Sequence, residues 1–272
     1  MPRDYHSASS INVYKQCPRK YYYQYIKELP TKKSIHLIRG NIVHSVLEEF
    51  FKIDINEISK ENFDFELRMV TLDLLKKHWL DKKGDIFEVV SPKEKIGFYF
   101  EETREMIGCW INDLLDKLEP DNLVESFNKL KPKTEVEVVS DKYKVRGYID
   151  AVFDEEGIIL DYKTSNKDYI TEEYKLQLAI YSLLFYEKYG KMPSKAGINF
   201  LRFGEEYILV DKELIEFAKN EVKKIHKLTQ SNEIGDYPKC QGPLCKWGSG
   251  ECEFYQICIG EDMKNNQKLN KF

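Results

Sequence analysis

The chain has 272 residues, 42% of them hydrophobic and 13% aromatic, enough apolar material for a substantial core in one large domain or two small ones. Its 42 Lys and Arg against 46 Asp and Glu leave a formal charge of -4, which excludes the global basic signature of many nucleic-acid binders, so any such site must be a local patch. Met1–Ser10 lacks an apolar core segment and no run approaches the roughly 18 apolar residues of a membrane span, so a cytoplasmic protein is expected.

From the N-terminus, Ser7, Ser9 or Ser10 can cap a first helix running towards Tyr14. Cys17-Pro-Arg-Lys-Tyr-Tyr-Tyr-Gln-Tyr25 then mixes aromatics with cations, a composition that suits either stacking on bases or a tyrosine-rich core. After Gly40, Val43, Val46, Leu47, Phe50 and Phe51 form a helical apolar stripe with His44 at its edge. Residues 56–131 read as a helical lobe with Leu67, Val70, Leu74 and Leu75 in one segment and Phe98, Met106, Trp110, Leu114 and Leu115 in another. Lys82-Lys83-Gly84 and Ser91-Pro92 punctuate it. Cys109 within it reads as a small buried hydrophobe.

Glu135–Val139 alternates in strand fashion. Lys144–Phe153 and Gly157–Thr164 are two further strands, and the turn Asp154-Glu155-Glu156-Gly157 folds them into a hairpin. If Phe153 pairs with Ile158, Asp150 stands opposite Asp161 with Cβ atoms about 5 Å apart, and alternation places Lys163 on the same face. Two such carboxylates repel unless a divalent cation sits between them, and hard cations take oxygen ligands. The apolar run Ile158-Ile-Leu160 argues that this strand is buried on at least one side, where an unpaired carboxylate is costly. Lys163 adds a cation where charge on a phosphate would develop.

Tyr174–Tyr189 is a helix with Leu176, Ile180, Leu183 and Leu184 on one face and Gln177 and Tyr181 one turn apart. Ala196–Phe203 and Glu206–Val210 form another hairpin, and Lys212–Thr229 a charged amphipathic helix. The order predicts an α/β core with a mixed sheet. Four of the six cysteines, Cys240, Cys245, Cys252 and Cys258, crowd the last part of the chain, which in a reducing compartment favours a metal centre over disulfides.

Gly40-Asn-Ile-Val-His44, Gly147-Tyr-Ile-Asp150, Asp161-Tyr-Lys163 and Gln177-Leu-Ala-Ile-Tyr181, in this order, resemble the G-x-x-x-H, G-x-x-D, D-x-K and Q-x-x-x-Y motifs of the RecB-family branch of the PD-(D/E)XK nucleases. The form resembled is the iron-sulfur one of RecB-like and AddB-like nucleases and CRISPR-associated adaptation exonucleases. The resemblance implies a restriction-endonuclease-like core (132–230) with a mixed central sheet. Around it would lie N-terminal helices (1–55), an inserted helical lobe (56–131), and a cysteine-rich segment (231–272) whose cluster joins the termini. It implies that His44, Asp150, Asp161 and the Tyr162 carbonyl ligate Mg²⁺ or Mn²⁺, that Lys163 orients or activates the attacking water, and that Gln177 and Tyr181 position DNA.

It further implies a [4Fe-4S] cluster on Cys17, Cys245, Cys252 and Cys258. The close C-x-x-C spacing is stretched between Cys245 and Cys252, Cys240 can replace Cys245, and zinc also suits four thiolates. The function so implied is a metal-dependent DNA exonuclease acting at single-stranded or frayed ends in repair, recombination or CRISPR or phage DNA processing. Its partners would be DNA and a helicase, recombination or CRISPR adaptation complex. The alternatives are a structure-selective endonuclease and a DNA-end binding and selection subunit of a recombination or CRISPR integration complex.

Overall fold

The computed structural model describes residues 3–247 and 250–260. The chain forms two compact units, one from the described residues up to Lys32 and from Glu221 onward, the other from Lys33–Asn220.

The second unit is built on a five-stranded sheet in the order β1 (Lys133–Ser140), β2 (Val145–Phe153), β3 (Ile158–Lys163), β4 (Lys195–Phe200), β5 (Gly204–Leu209). The pair β3–β4 is parallel and the others antiparallel, so the sheet is mixed as expected. Phe153 pairs with Ile158, the register read from the turn, and Gly157 takes the positive φ of 65° that the turn needs. The Leu201–Phe203 stretch turns instead of extending the fourth strand, because the chain must reverse there into β5.

The parallel step from β3 to β4 needs a crossover. The helix Glu172–Tyr189 supplies it, with Thr171 capping its first turn and Gly190, at φ 70°, ending it. It is buried on more than one face: Leu176, Leu178, Ala179, Ile180, Leu183, Leu184 and Phe185 are all inaccessible.

Helices Ile35–Phe50, Phe63–Asp81, Lys95–Asp116 and Leu123–Leu130 share a single apolar core with the sheet, joining Phe50, Leu67, Trp110 and Phe127 to Ala151, Leu160 and Tyr162. Of the expected helical stripes, Leu67, Leu75, Met106, Trp110 and Leu114 are buried, whereas Phe98 is 63% exposed and lies outside the core. Cys109 is half-buried, not enclosed, since it sits at the flank of the Met106–Trp110 stripe.

In the first unit, Ser7 caps the helix Ala8–Gln16 in a reciprocal capping box with Ser10. Tyr21, Tyr22 and Tyr23 are buried, Tyr21 stacking on Tyr237 at 6.2 Å, so these rings serve the core and are not available to bases. His6 is fully buried and lies between Tyr21 Oη (3.4 Å from Nδ1) and Thr229 Oγ1 (3.2 Å from Nε2). Thr229 gives its own hydrogen to the Ile225 carbonyl, so it accepts from His6 Nε2–H, and Nδ1 accepts from Tyr21.

Candidate metal centre

The centre forms where β1, β2 and β3 meet the helix Ile35–Phe50. The β2–β3 backbone ladder runs from Phe153–Ile158 to Ala151–Leu160, and Asp150 and Asp161 are the next residue on each strand. There the Asp150 carboxylate replaces a strand carbonyl: Oδ2 accepts the Tyr162 N–H at 2.8 Å. Tyr162 meets His44 with its other backbone group, its carbonyl accepting from Nε2 at 3.1 Å. A carbonyl can only accept, so Nε2 carries hydrogen and Nδ1 is turned to the carboxylates, 3.4 Å from Asp150 Oδ2 and 4.0 Å from Glu135 Oε1. The Tyr162 carbonyl, expected as a ligand, is thus at the centre as the acceptor of His44.

Glu135 was not singled out in the sequence. It belongs to β1 directly across from Asp150 in register, yet its φ of 50° breaks the strand conformation, an uncommon value for a non-glycine residue that costs on the order of 1 kcal/mol or more. His44, Glu135 and Asp150 offer ligand atoms that all lie within 4.8 Å of one another. One imidazole nitrogen and two carboxylates on a half-buried surface fit a divalent cation.

Asp161 lies outside that group and is 2% exposed. Gln177 Nε2 donates to its Oδ1 at 2.7 Å and to Tyr181 Oη at 3.2 Å, while Lys163 Nζ lies 2.5 Å from Oδ2. Oδ2 is shielded from solvent and has no aligned hydrogen bond. Burial, aided by the Asp150 charge, pushes the Asp161 carboxyl up to about 6 even though Lys163 opposes the shift. Burial and Asp150 likewise raise Glu135. Burial alone would depress His44, but the hydrogen bond and charge of Asp150 outweigh it and the imidazole is raised. Lys163 is also raised: desolvation opposes its charge, and Asp161 overcomes that. The raised carboxyls of Asp161 and Glu135 trace to burial and to carboxylates crowded together, a like-charge cost that a divalent cation relieves.

Gly147 completes the arrangement, since a Cβ there would come within 3.0 Å of the Tyr181 ring. Gln177 and Tyr181, expected to position DNA, are joined in this structure to Asp161 through hydrogen bonds.

All six cysteines are free thiols, Cys109 in the second unit and the other five in the first. Cys240 is held above the usual thiol range by burial and by the nearby Cys17 and Cys245 thiols. Cys245 Sγ lies 3.4 Å from the Cys240 carbonyl, and Cys252 N–H donates to the Cys245 carbonyl at 2.9 Å across the two-stranded ribbon Lys246–Trp247 and Gly250–Glu251. No three sulfurs among the described residues converge as tightly as the His44 group does.

A mixed sheet whose hairpin carries the D…D-x-K residues beside a helical histidine defines a nuclease-type core. The signature of the PD-(D/E)XK nuclease superfamily matches residues 5–259, and the chain belongs to that superfamily. Among solved structures, a protein from Eubacterium rectale described as a "Putative exonuclease" is similar over 89% of this chain and 86% of its own, with a TM-score of 0.56 and 14% identity, which establishes likeness of fold. No curated protein matches the chain. Among the described residues no helix is long and apolar enough to cross a membrane.

Proposed function

We propose that the protein is a metal-dependent DNA exonuclease acting at single-stranded or frayed ends. The observation that carries the reading is the convergence of His44, Glu135 and Asp150 beside the buried Asp161–Lys163 pair. His44, Asp150 and Asp161, with Glu135 added, would hold Mg²⁺ or Mn²⁺. A divalent cation bound there supplies positive charge to the scissile phosphate and lowers the pKa of water.

The chain's own groups do the rest. Tyr162 fixes both Asp150 and His44 through its backbone, so two would-be ligands are set by one rigid strand residue. Gln177 holds Asp161 from the crossover helix. Lys163, kept cationic by Asp161, faces the position where negative charge develops on the phosphate, and acts there as a charge. An ammonium so stabilised is a poor base in the metal-free protein.

The cysteines support a second, structural centre. Cys17, Cys252 and Cys258 with either Cys240 or Cys245 would hold a [4Fe-4S] cluster, or zinc, and Cys240 lies near both Cys17 and Cys245. Such a centre supplies cross-linking of distant parts of the chain. DNA processing in repair, recombination or CRISPR adaptation, with a helicase or integration complex as partner, is the setting that suits this reading.

The test is digestion of end-labelled linear DNA and of closed circular single-stranded DNA with and without Mn²⁺, alongside calorimetric Mn²⁺ titration. Linear substrate should be shortened only with the metal and circles left intact. Asp150→Asn should lose both cleavage and Mn²⁺ binding, whereas Lys163→Ala should retain Mn²⁺ binding and lose turnover, the mark of a group acting in the transition state. Cutting of circles would replace exonuclease by endonuclease. Full activity of Asp150→Asn would remove the centre from the chemistry.

A further inference from the structure

Beside Lys163 a cavity of about 420 Å³ opens between the start of helix Ile35–Phe50, helix Lys95–Asp116 and the segment that follows β3. Its size falls in the roughly 300–1,000 Å³ range of clefts that hold small ligands. One wall is electrically closed: Arg39, 3% exposed, donates to Glu102 at 2.6 Å and to Thr103 at 2.8 Å, so its charge is already answered. The opposite wall is open chemistry. Ser165 Oγ is shielded from solvent with no hydrogen-bond partner, Asn166 stands exposed at the mouth, and the half-buried Tyr174 ring closes the side.

Two cations lie over that ring, Lys163 Nζ 5.6 Å and Lys167 Nζ 5.9 Å from its centroid. An aromatic ring with two ammonium groups beside it, and an unpaired hydroxyl and an exposed amide in the same cavity lining, is the combination that binds one nucleotide of a single strand. The base lies against the ring, the flanking phosphates meet the lysines, and the hydroxyl and amide take the base edge. A base paired and stacked in a duplex cannot enter, and drawing one out costs a few kcal/mol. A frayed or single-stranded end has no such penalty.

We infer that this cavity is a subsite for a single unstacked nucleotide next to the scissile phosphate, built by Tyr174, Ser165 and Asn166, and that it selects single-stranded ends. The inference rests on the nuclease reading and adds the substrate's form to it. Lys163 is shared: its ammonium borders both the Asp161 carboxylate and the cavity, so a nucleotide seated on Tyr174 presents its phosphate to the metal-binding residues.

The test uses the full chain in Ca²⁺ and two single-stranded oligonucleotides carrying 2-aminopurine at one end or the other. One of the two should change fluorescence on binding. Tyr174→Ala, and Tyr174→Leu as the variant that keeps apolar volume, should abolish that change and weaken single-strand binding about tenfold, with blunt-duplex affinity and Mn²⁺ affinity unchanged. Tyr174→Phe, which keeps the ring, should behave as wild type. Silence of both oligonucleotides on wild-type protein, or an equal loss of duplex binding in the Tyr174 variants, overturns the subsite. Normal metal-dependent cleavage accompanying either result leaves the nuclease reading intact. Conversely, a fluorescence change that depends on Tyr174 in a protein without metal-dependent cleavage keeps the subsite and removes the nuclease reading.

Discussion

Gly147 on β2 leaves the space that the Tyr181 ring occupies: a Cβ at 147 would lie 3.0 Å from Tyr181 Cε1, closer than ordinary packing allows. Tyr181 in turn accepts from Gln177, and Gln177 donates to Asp161. A glycine on one strand is thereby linked, through a helix, to a carboxylate on the next. Gly147→Ala should push the ring away and cost about 1–3 kcal/mol as an overpacked site, with Mn²⁺ affinity falling as Asp161 loses its support. Urea unfolding and metal titration of the variant check both halves; an unchanged Mn²⁺ affinity would break the proposed link.

Gln177 separates two roles. In the structure it touches Asp161 and Tyr181, so Gln177→Leu should weaken Mn²⁺ binding by about 10–100-fold, the usual cost of losing a group that orients a metal ligand. A residue acting on DNA instead would leave Mn²⁺ affinity alone and raise the Kd for oligonucleotides in Ca²⁺. The two titrations, run on the same variant, decide between them.

The acidic hairpin was legible because strand periodicity is rigid: once Phe153 and Ile158 pair across the Asp154–Gly157 turn, the faces of Asp150, Asp161 and Lys163 follow. Glu135 was not legible for the opposite reason. In sequence it is one of two glutamates, with Glu137, alternating along a strand, and the backbone departure at φ 50° that marks it leaves no trace in residue types. Tyr21, Tyr22 and Tyr23 were ambiguous because tyrosine serves cores and bases equally well; rings distant in sequence, Tyr237 against Tyr21 and Tyr22 and Phe254 against Tyr23, decide the matter.

His6 should give the first unit an acid-sensitive stability. Burial, with the charges of His226 and Arg3, lowers its pKa from 6.5 to about 4, so the unfolded chain binds a proton that the folded chain refuses. The stabilisation is fully present above pH 6.5 and is lost as pH falls from 6.5 towards 4, below which it levels off. A shift of this size corresponds to about 3 kcal/mol. Melting temperatures measured between pH 7 and 4 should fall more steeply for the wild type than for His6→Asn, which cannot take the proton. Parallel curves would show that other groups carry the acid response.

Cys240 and Cys245 compete for the fourth ligand position of the proposed thiolate centre. The Cys245–Cys252 interval is stretched, and Cys240 lies near both Cys17 and Cys245. If an iron-sulfur centre forms with Cys240, anaerobically purified Cys240→Ala should lose its brown absorption and its iron, and Cys245→Ala should keep both. Cys109→Ala, in the helix Lys95–Asp116 of the other unit, should stay coloured and behave as an ordinary truncation of a half-buried side chain. Bleaching by Cys245→Ala with colour retained in Cys240→Ala would return the fourth ligand to Cys245. Colourless wild-type protein carrying one zinc per chain would keep the thiolate site and remove iron from it, and the His44 centre, built from different residues in the other unit, should cleave as before.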